Sequence, residues 1–384
     1  MTDKPVPLKP RTLAVQALGA DEPVTKGVVP PVHVATTFVR DPDNQYRSGY
    51  VYGRPDNATV RQAEAVIAAL ENAKGAMLFG SGMAAATSVI LALEKPSHIV
   101  ASKVMYWAFR AWLVASARFG HSVDFVDTSD LDAVRKAVKP NETKLVWIET
   151  PGNPLWTITD IAAVAEIAHK AGALCAVDST VATPILKRPL TLGADIVMHS
   201  ATKFLNGHSD VIAGALACAD TEGFWKNIVA VRSQHGATIG PFEAWLLLRG
   251  MRTLDMRVRT QTETATQLAT RFSHHPNVMG VLYPGLKNHP GHAVAARQMT
   301  SGFGGMLSIL VKGGERAAID AAARVDVWKR ATSLGGVESL IEHRASVEGP
   351  GSPCPPELLR LSAGLEDPDD LFNDLDRALR AANS

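Results

Sequence analysis

The sequence predicts an α/β protein with a mostly parallel sheet in its large domain and a smaller α+β domain after it. Short apolar runs rich in strand formers alternate with segments of helical periodicity from residue 59 to residue 218. This alternation is typical of parallel strands joined by crossover helices. A loop rich in Gly, His and Pro at residues 284–290 then interrupts the pattern, and strands and helices follow in a different order.

The elements can be predicted in order from periodicity and breaker residues. Residues 59–70 carry apolar side chains at helical spacing, with Thr59 as the expected N-cap. Strands are expected at 76–79, 98–101, 123–126, 144–148, 174–177, 196–198 and 211–218, with helices beginning at 83 and covering 107–118, 131–138 and 161–171. Residues 220–275 read as helical, and the last part is expected to contain strands 306–311 and 358–361 with helices 317–323 and 369–382. We therefore expect an N-terminal arm at 1–58, a large domain at 59–260 and a C-terminal domain at 261–384.

Composition and charge exclude several classes of protein. Hydrophobic residues make up 46% of the 384 residues, charged residues 20%, and the net charge is +1, so neither nucleic acid nor a membrane is expected as a partner. Three scattered cysteines predict neither a disulfide framework nor a zinc site, and no metal is expected. Residues 1–7 lack the apolar core of a signal peptide, and no apolar run reaches membrane-spanning length. We expect a cytoplasmic protein.

Polar side chains follow several of the predicted strands directly. Asp178 ends one strand, and Lys203 lies just after the next one along the chain. In open α/β folds, ligands bind at the carboxyl ends of the strands. A lysine at that edge can lose its charge through burial and attack a carbonyl as an amine. Taken alone, the stretch from 194 to 203 fits a surface lysine equally well.

A short turn of small residues, Gly80-Ser81-Gly82, connects a predicted strand to the helix that begins at Met83. Glycines let a phosphate approach the backbone, and the helix N-terminus offers free N–H groups. Packing alone is the alternative reason for such a turn. An amine at Lys203, an acid at Asp178 and a phosphate cradle are, however, the three groups that a pyridoxal phosphate enzyme needs.

Motifs from about Thr12 to Ala381 resemble those of a known family. They are Val29-Pro30-Pro31-Val32, Tyr52-Gly53-Arg54, Ser81-Gly82-Met83-Ala84-Ala85, Thr150-Pro151-Gly152-Asn153-Pro154, Asp178-Ser179-Thr180, Ser200-Ala201-Thr202-Lys203, Ser333-Leu334-Gly335-Gly336-Val337-Glu338-Ser339 and Arg360-Leu361-Ser362-Ala363-Gly364. On these motifs the chain resembles the Cys/Met-metabolism pyridoxal-phosphate enzymes, which include cystathionine γ-synthase, cystathionine lyases, methionine γ-lyase and homoserine-ester sulfhydrylases. The resemblance implies the PLP-dependent transferase fold of type I and pyridoxal 5'-phosphate as cofactor. It also implies a homotetramer that is a dimer of dimers with shared active sites.

The resemblance also implies a role for each matching residue. Lys203 would form the Schiff base and shuttle the substrate proton, Asp178 would hold the pyridinium nitrogen, and Tyr106 would stack on the ring and act as an acid or base. The other expected cofactor contacts are Thr180 near the ring, Gly82, Met83, Ser200 and Thr202 at the phosphate, and Tyr52 and Arg54 from the neighbouring subunit. The expected ligands of the substrate α-carboxylate are Asn153, Ser333 and Arg360.

Two departures from the family pattern bear on the substrate. We expect the substrate to be a small molecule, an amino acid. Trp107-Ala108-Phe109 follows Tyr106 where small residues and a threonine are usual, and Thr332 replaces the glutamate common in γ-synthases and γ-lyases. The reaction expected is carbon–sulfur elimination at the β or γ carbon of cystathionine or a related amino acid. A γ-replacement synthase or homoserine-ester sulfhydrylase is the alternative within the family. An aminotransferase on the same fold and a non-catalytic relative are the alternatives outside it.

Overall fold

The computed structural model describes residues 8–19, 21–22, 24–349 and 352–383. Residues 1–7, on which the expectation about a signal peptide depends, lie outside these ranges. Among the described residues, no helix is both long enough and apolar enough to cross a membrane.

Within the described residues, seven strands form the larger sheet, in the order β1-β7-β6-β5-β4-β2-β3. They are β1 (Gly75–Phe79), β2 (Ser97–Ser102), β3 (His121–Val126), β4 (Thr143–Glu149), β5 (Leu174–Asp178), β6 (Ile196–His199) and β7 (Gly214–Cys218). Strands β2 to β6 pair in parallel, whereas β7 runs antiparallel to both β1 and β6. The prediction of a mostly parallel sheet is confirmed.

One helix of the first part of the chain lies within the arm, and most of the others pack on this sheet. The helices of this part are α1 (Pro10–Gln16), α2 (Ala58–Glu71), α3 (Gly82–Leu91), α4 (Trp107–Ala115), α5 (Leu131–Ala137), α6 (Ile161–Lys170) and α7 (Thr183–Leu186). Neighbouring strand residues face opposite layers, as the period of two requires. Trp147 packs in the layer that contains Phe109, whereas Val146 and Ile148 pack against the side chains of α6. Both faces of the sheet are therefore buried.

A second, smaller sheet has the order β10-β11-β12-β9-β8 in the described part of the chain. Its strands are β8 (Val278–Leu282), β9 (Met306–Val311), β10 (Lys329–Arg330), β11 (Leu340–His343) and β12 (Leu358–Ser362). The helices around it and before it are α8 (Phe224–His235), α9 (Pro241–Met251), α10 (Leu254–Phe272), α11 (His292–Gln298), α12 (Gly314–Ala323), α13 (Ala345–Glu348) and α14 (Pro368–Ala382). The sequence did not predict β8, β10 and β11, because each is short and polar residues or Gly280 interrupt its apolar pattern.

Several predicted boundaries are corrected. The N-cap of α2 is Asn57 and not Thr59: the Asn57 side chain accepts hydrogen bonds from the N–H groups of Thr59 and Val60, while the Thr59 hydroxyl accepts one from the N–H of His33. The strand expected at 211–218 begins only at Gly214, and the helical region 220–275 consists of three helices. The segment expected as one helix at 107–118 ends as α4 at Ala115 and continues as a 3₁₀ turn.

The two sheets meet beside the carboxyl ends of β4 and β5. The indole N–H of Trp156 donates to Ser308 Oγ on β9 at 2.8 Å, and Arg360 on β12 donates to Asn153 Oδ1 at 3.2 Å. Both Trp156 and Ser308 are fully buried. The edge of the parallel sheet where a ligand is expected is therefore closed on one side by the second sheet.

Candidate active site

A cavity of about 640 Å³ lies where the two sheets meet. Eleven of the thirteen residues predicted for the site line it: Gly82, Met83, Tyr106, Asn153, Asp178, Thr180, Ser200, Thr202, Lys203, Ser333 and Arg360. The polar side chains reach it from the carboxyl ends of β4, β5 and β6, from the N-terminus of α3, and from β12 of the smaller sheet. The volume falls in the range of small-molecule sites.

Lys203 places its amine in this cavity and donates a hydrogen bond from Nζ to Ser333 Oγ at 2.6 Å. The pKa of Lys203 is lowered to about 8, first by burial and then by the positive charges of Arg360 and Arg344, against the opposing charge of Glu342. Ser333 has φ of +90°, which is unusual for a residue with a side chain and marks a locally strained backbone. The sequence prediction that Lys203 is a partly buried amine at the sheet edge agrees with this geometry.

Two carboxyl groups line the cavity on adjacent parallel strands. Asp178 ends β5 and pairs in register with Glu149 at the end of β4. Asp178 Oδ1 accepts the N–H of Thr180 at 3.0 Å, whereas Glu149 accepts the N–H of Tyr106 at 2.7 Å and that of Asn153 at 3.1 Å. Burial raises the pKa of both groups, and the neighbouring Asp178 raises that of Glu149 further. A cation bound beside Asp178 would favour the ionised form of that carboxyl.

The N-terminus of α3 forms one wall of the cavity. Ser81 caps the helix by accepting the N–H of Ala84 at 3.0 Å. The N–H groups of Gly82 and Met83 lie in the first turn of α3, where backbone N–H groups have no acceptor within the helix. A Cβ at Gly82 would lie 2.9 Å from Ser200 Oγ, so only glycine allows this close approach. The helix end and the Ser200 hydroxyl form a cradle of donors that suits a phosphate. Thr202 lines the cavity beside them, and its hydroxyl donates to the carbonyl oxygen of Ala213 at 3.1 Å.

Arg360 forms the opposite wall and is fixed by contacts on three sides. Its Nη2 donates to the carbonyl oxygen of Ser333 at 2.8 Å and lies 2.5 Å from Glu342 Oε2, while its Nη1 donates to Asn153 Oδ1 at 3.2 Å. Burial lowers the pKa of Arg360 to about 10, still far above neutral pH. The three residues expected to bind an α-carboxylate are therefore joined in one hydrogen-bonded group.

The mouth of the cavity is largely aromatic. Tyr106 and Trp107, whose ring centroids are 6.2 Å apart, are both 40% exposed, and Phe109 lines the interior. Thr332 also lines the cavity, next to Ser333. Both positions at which the sequence departs from the family pattern thus lie in the site itself.

Tyr52 and Arg54 do not line the cavity of their own subunit. Arg54 donates to the carbonyl oxygen of Ser233 on α8, and its guanidinium lies 5.8 Å from the centre of the Tyr52 ring. Tyr52 is 48% exposed. This placement separates the two arm residues from the other eleven predicted site residues.

Sequence reasoning missed two charged residues that line the cavity, Glu149 and Arg344. Glu149 directly follows the strand predicted at 144–148, and its position beside Asp178 could have singled it out. Arg344 follows β11, a strand that the sequence did not predict, so no signal pointed to it.

We expect the cofactor-free protein to attach pyridoxal phosphate at a rate that rises with pH and has its midpoint near pH 8. The reason is that only the neutral amine attacks an aldehyde, and the pKa of Lys203 lies at about 8 instead of the ordinary 10.5. Rapid-mixing absorbance between pH 6 and pH 10 measures this, with Lys203→Ala as the control for other lysines. A midpoint near the ordinary lysine value would contradict it.

One protein family and several known proteins are similar to this chain over nearly its whole length. The sequence model of the family described as Cys/Met metabolism PLP-dependent enzyme matches residues 11–380. The chain is 43% identical to cystathionine γ-synthase of Mycobacterium tuberculosis over 377 residues, 96% of each chain. It is 39% identical to cystathionine γ-lyase of Bacillus subtilis over 382 residues, 97% of this chain and 99% of the relative.

Solved structures show the same likeness in three dimensions. Cystathionine γ-synthase from Xanthomonas oryzae pv. oryzae, in complex with aminoacrylate and cysteine, superposes with a TM-score of 0.94 at 38% identity, covering 98% of this chain and 99% of the other. The groups present fit pyridoxal phosphate: an amine, a carboxyl at a strand end, and a phosphate cradle that a side chain at position 82 would fill. This chain belongs to the Cys/Met metabolism family of PLP-dependent enzymes.

Proposed function

We propose that the protein is a carbon–sulfur lyase that eliminates a thiol from the β or γ carbon of cystathionine or a related sulfur amino acid. The observation that carries this proposal is the amine of Lys203. It lies in the cavity, donates a hydrogen bond to Ser333, and has a lowered pKa. Thr332 stands where both the γ-synthases and the γ-lyases of the family commonly have glutamate, so it does not by itself separate elimination from replacement. Glu149 and Asp178, the carboxylates among the lining residues, both lie at the sheet edge.

The residues divide the work as follows. Pyridoxal phosphate, when bound, supplies a ring that stabilises negative charge on the substrate Cα. Lys203 holds the cofactor in the resting enzyme, and its Nζ then removes the Cα proton and carries it. Asp178 holds the proton on the ring nitrogen, with Thr180 beside it. Arg360, Ser333 and Asn153 hold the α-carboxylate through charge-assisted hydrogen bonds.

The remaining groups bind the phosphate and assist the leaving group. The N–H groups of Gly82 and Met83 and the hydroxyls of Ser200 and Thr202 bind the phosphate. Tyr106, at the mouth of the cavity, would lie next to the ring of the bound cofactor, and its hydroxyl would give a proton to the departing sulfur or take one back in the reverse direction. Trp107 and Phe109 exclude water from that end.

A γ-replacement synthase is the second candidate, favoured by the likeness to cystathionine γ-synthases. The two reactions are separated by giving the holoenzyme cystathionine alone and then an O-acylhomoserine together with cysteine. We expect cystathionine alone to release a thiol, ammonia and a 2-oxo acid. If only the pair reacts, and the product is cystathionine, the enzyme is a synthase.

On this proposal, the protein assembles as a homotetramer that is a dimer of dimers, in which the arm at 1–58 completes a neighbour's site. The large domain is 59–260 and the C-terminal domain 261–384. The arm exposes Val24, Val28, Val34 and Val39 at 73–93%, a row of apolar side chains that a second copy would cover. Three buried cysteines without disulfides suit the reducing cytoplasm, where we place the enzyme.

Arg54→Ala is expected to weaken pyridoxal phosphate binding by about 10-fold or more, the size of one charge-assisted hydrogen bond to phosphate. The cofactor dissociation constant, measured by absorbance titration of cofactor-free protein, tests this. Arg47→Ala is the matched control, since Arg47 is an exposed arm residue paired with Asp41 and Asp43. Equal affinity in both variants would contradict the shared site.

A further inference from the structure

A second arginine, Arg344, lies on the wall of the cavity beyond Arg360. It follows β11 directly and precedes the short helix α13. Although arginine is seldom buried, this residue is 2% exposed. Burying a guanidinium is costly unless its N–H groups have hydrogen-bond acceptors. The acceptors of Arg344 therefore show which of its N–H groups are satisfied within the protein.

Two glutamates satisfy part of Arg344. Its Nη1 donates to Glu342 Oε2 at 3.0 Å, and its Nε donates to Glu348 Oε1 at 2.8 Å. The same Glu342 oxygen lies 2.5 Å from Nη2 of Arg360. The two guanidinium groups are therefore neighbours across a single carboxylate oxygen, with Arg360 held by Ser333 and Asn153 and Arg344 on the far side.

One donor group of Arg344 remains free. Among the residues that the structure describes, its Nη2 is buried and has no hydrogen-bond partner. A buried N–H group of a cation without an acceptor is costly, and a carboxylate oxygen is the acceptor that satisfies it best. Both glutamates that could have served it already bind other nitrogens of the same side chain.

The surroundings in the cavity favour an anion at this point. Thr332 is neutral, and the acids of the cavity lining, Glu149 and Asp178, end strands of the other sheet. Val347 on α13 adds an apolar surface beside Arg344. On this side, the described lining residues are cationic, neutral or apolar, and the two glutamates behind them, Glu342 and Glu348, are already paired with Arg344.

We propose that Arg344 binds a second carboxylate, at the far end of the substrate side chain, and selects amino acids that carry one there. The inference rests on the proposed function in one respect: the α-amino-acid end of the substrate lies at Lys203 and Arg360. Cystathionine has such a distal carboxylate and methionine has none. Recognition through Arg344 depends on the carboxylate alone, so a substrate that lacks the distal ammonium group is accepted as well.

The test uses two amino acids that bind but have no leaving group. L-2-Aminosuberate carries a terminal carboxylate at the distance set by cystathionine, and L-2-aminooctanoate ends in a methyl group at the same position. Their dissociation constants with the holoenzyme are measured by calorimetry and by the change in the cofactor spectrum. We expect wild-type protein to bind aminosuberate about 10- to 100-fold more tightly. Equal binding would overturn the proposal.

Arg344→Gln is expected to abolish this preference while leaving the affinity for aminooctanoate unchanged, and Arg344→Lys to retain part of it. If Arg344→Gln weakens both ligands equally, Arg344 only supports Arg360 and the proposal is wrong. Should the glutamine variant fail to fold, the wild-type comparison and the lysine variant decide. Neither ligand can be cleaved, so a failure of the lyase assay with cystathionine leaves this result unaffected.

Discussion

Lys203→Ala is expected to abolish turnover and the covalent attachment of pyridoxal phosphate. The side chain supplies the amine that holds the cofactor and the base that moves the Cα proton, and a positioned base alone contributes about 10²- to 10⁴-fold. Phosphate and ring contacts at Gly82 and Asp178 remain, so the variant still binds the cofactor without a covalent link. Activity assays measure the loss of turnover. Borohydride reduction followed by peptide mass spectrometry, applied to the variant and to wild-type protein, measures the loss of covalent attachment.

A second buried lysine provides the control for this prediction. Burial lowers the pKa of Lys187 to about 7, but its Nζ donates to the carbonyl oxygen of Thr150, and Lys187 is not among the residues that line the cavity. We expect the reduced cofactor on the peptide that contains Lys203 and not on that of Lys187. Label on Lys187, or activity retained by Lys203→Ala, would contradict the assignment. Both lysines have a lowered pKa, but only Lys203 lines the cavity, so we expect only Lys203 to hold the cofactor.

Three site residues could be predicted from the sequence without the family resemblance, because they lie shortly after predicted strands. Asp178 and Lys203 each follow a short apolar run, and parallel strands bring their carboxyl ends to one edge whatever the details of packing. The same reasoning applies to Gly82, since a helix N-terminus after a strand lies at that edge too. These three positions require only the order of elements, which the apolar periodicity gives.

Other parts of the site depend on contacts between distant segments and could not be predicted in this way. Arg360 entered only through the resemblance, because nothing local to β12 says that it faces Asn153, 207 residues earlier in the chain. Arg344 depends on β11, whose polar Glu342 and His343 break the strand pattern although both are buried. The burial of a charged group depends on its partners, and these come from elsewhere in the chain: Asn153, beside the larger sheet, for Arg360, and Glu348 on α13 for Arg344.

The site is consequently a product of both sheets. Lys203, from the end of the parallel sheet, donates to Ser333, whose carbonyl oxygen holds Arg360 on the smaller sheet. The positive φ of Ser333 allows its side chain and its carbonyl to serve these two partners at once. The group that carries the chemistry and the group that holds the substrate are thus linked through one residue, which suits a reaction in which both must act on the same Cα.

Asp178→Asn is expected to lower kcat/KM by about 100- to 5,000-fold, while pyridoxal phosphate stays attached to Lys203. The neutral amide cannot pair with a protonated ring nitrogen, and an unpaired buried charge costs about 3–5 kcal/mol, which corresponds to this loss in rate. Burial raises the pKa of Asp178 in the protein alone, so a protonated ring nitrogen beside it would favour the charged carboxylate. Cofactor content and steady-state rates of the purified variant separate lost chemistry from lost binding.

Asp195→Asn is the matched control, because Asp195 precedes β6 at the opposite edge of the same sheet. Its carboxylate accepts the N–H of Cys175 at 2.7 Å and contacts His169, and it is not among the residues that line the cavity. We expect this variant to lose some thermal stability but to keep its kcat/KM within about threefold, since surface-edge substitutions seldom reach a distant site. Comparable losses of activity in the two variants would mean that Asp178 acts by supporting the sheet and not through the cofactor ring.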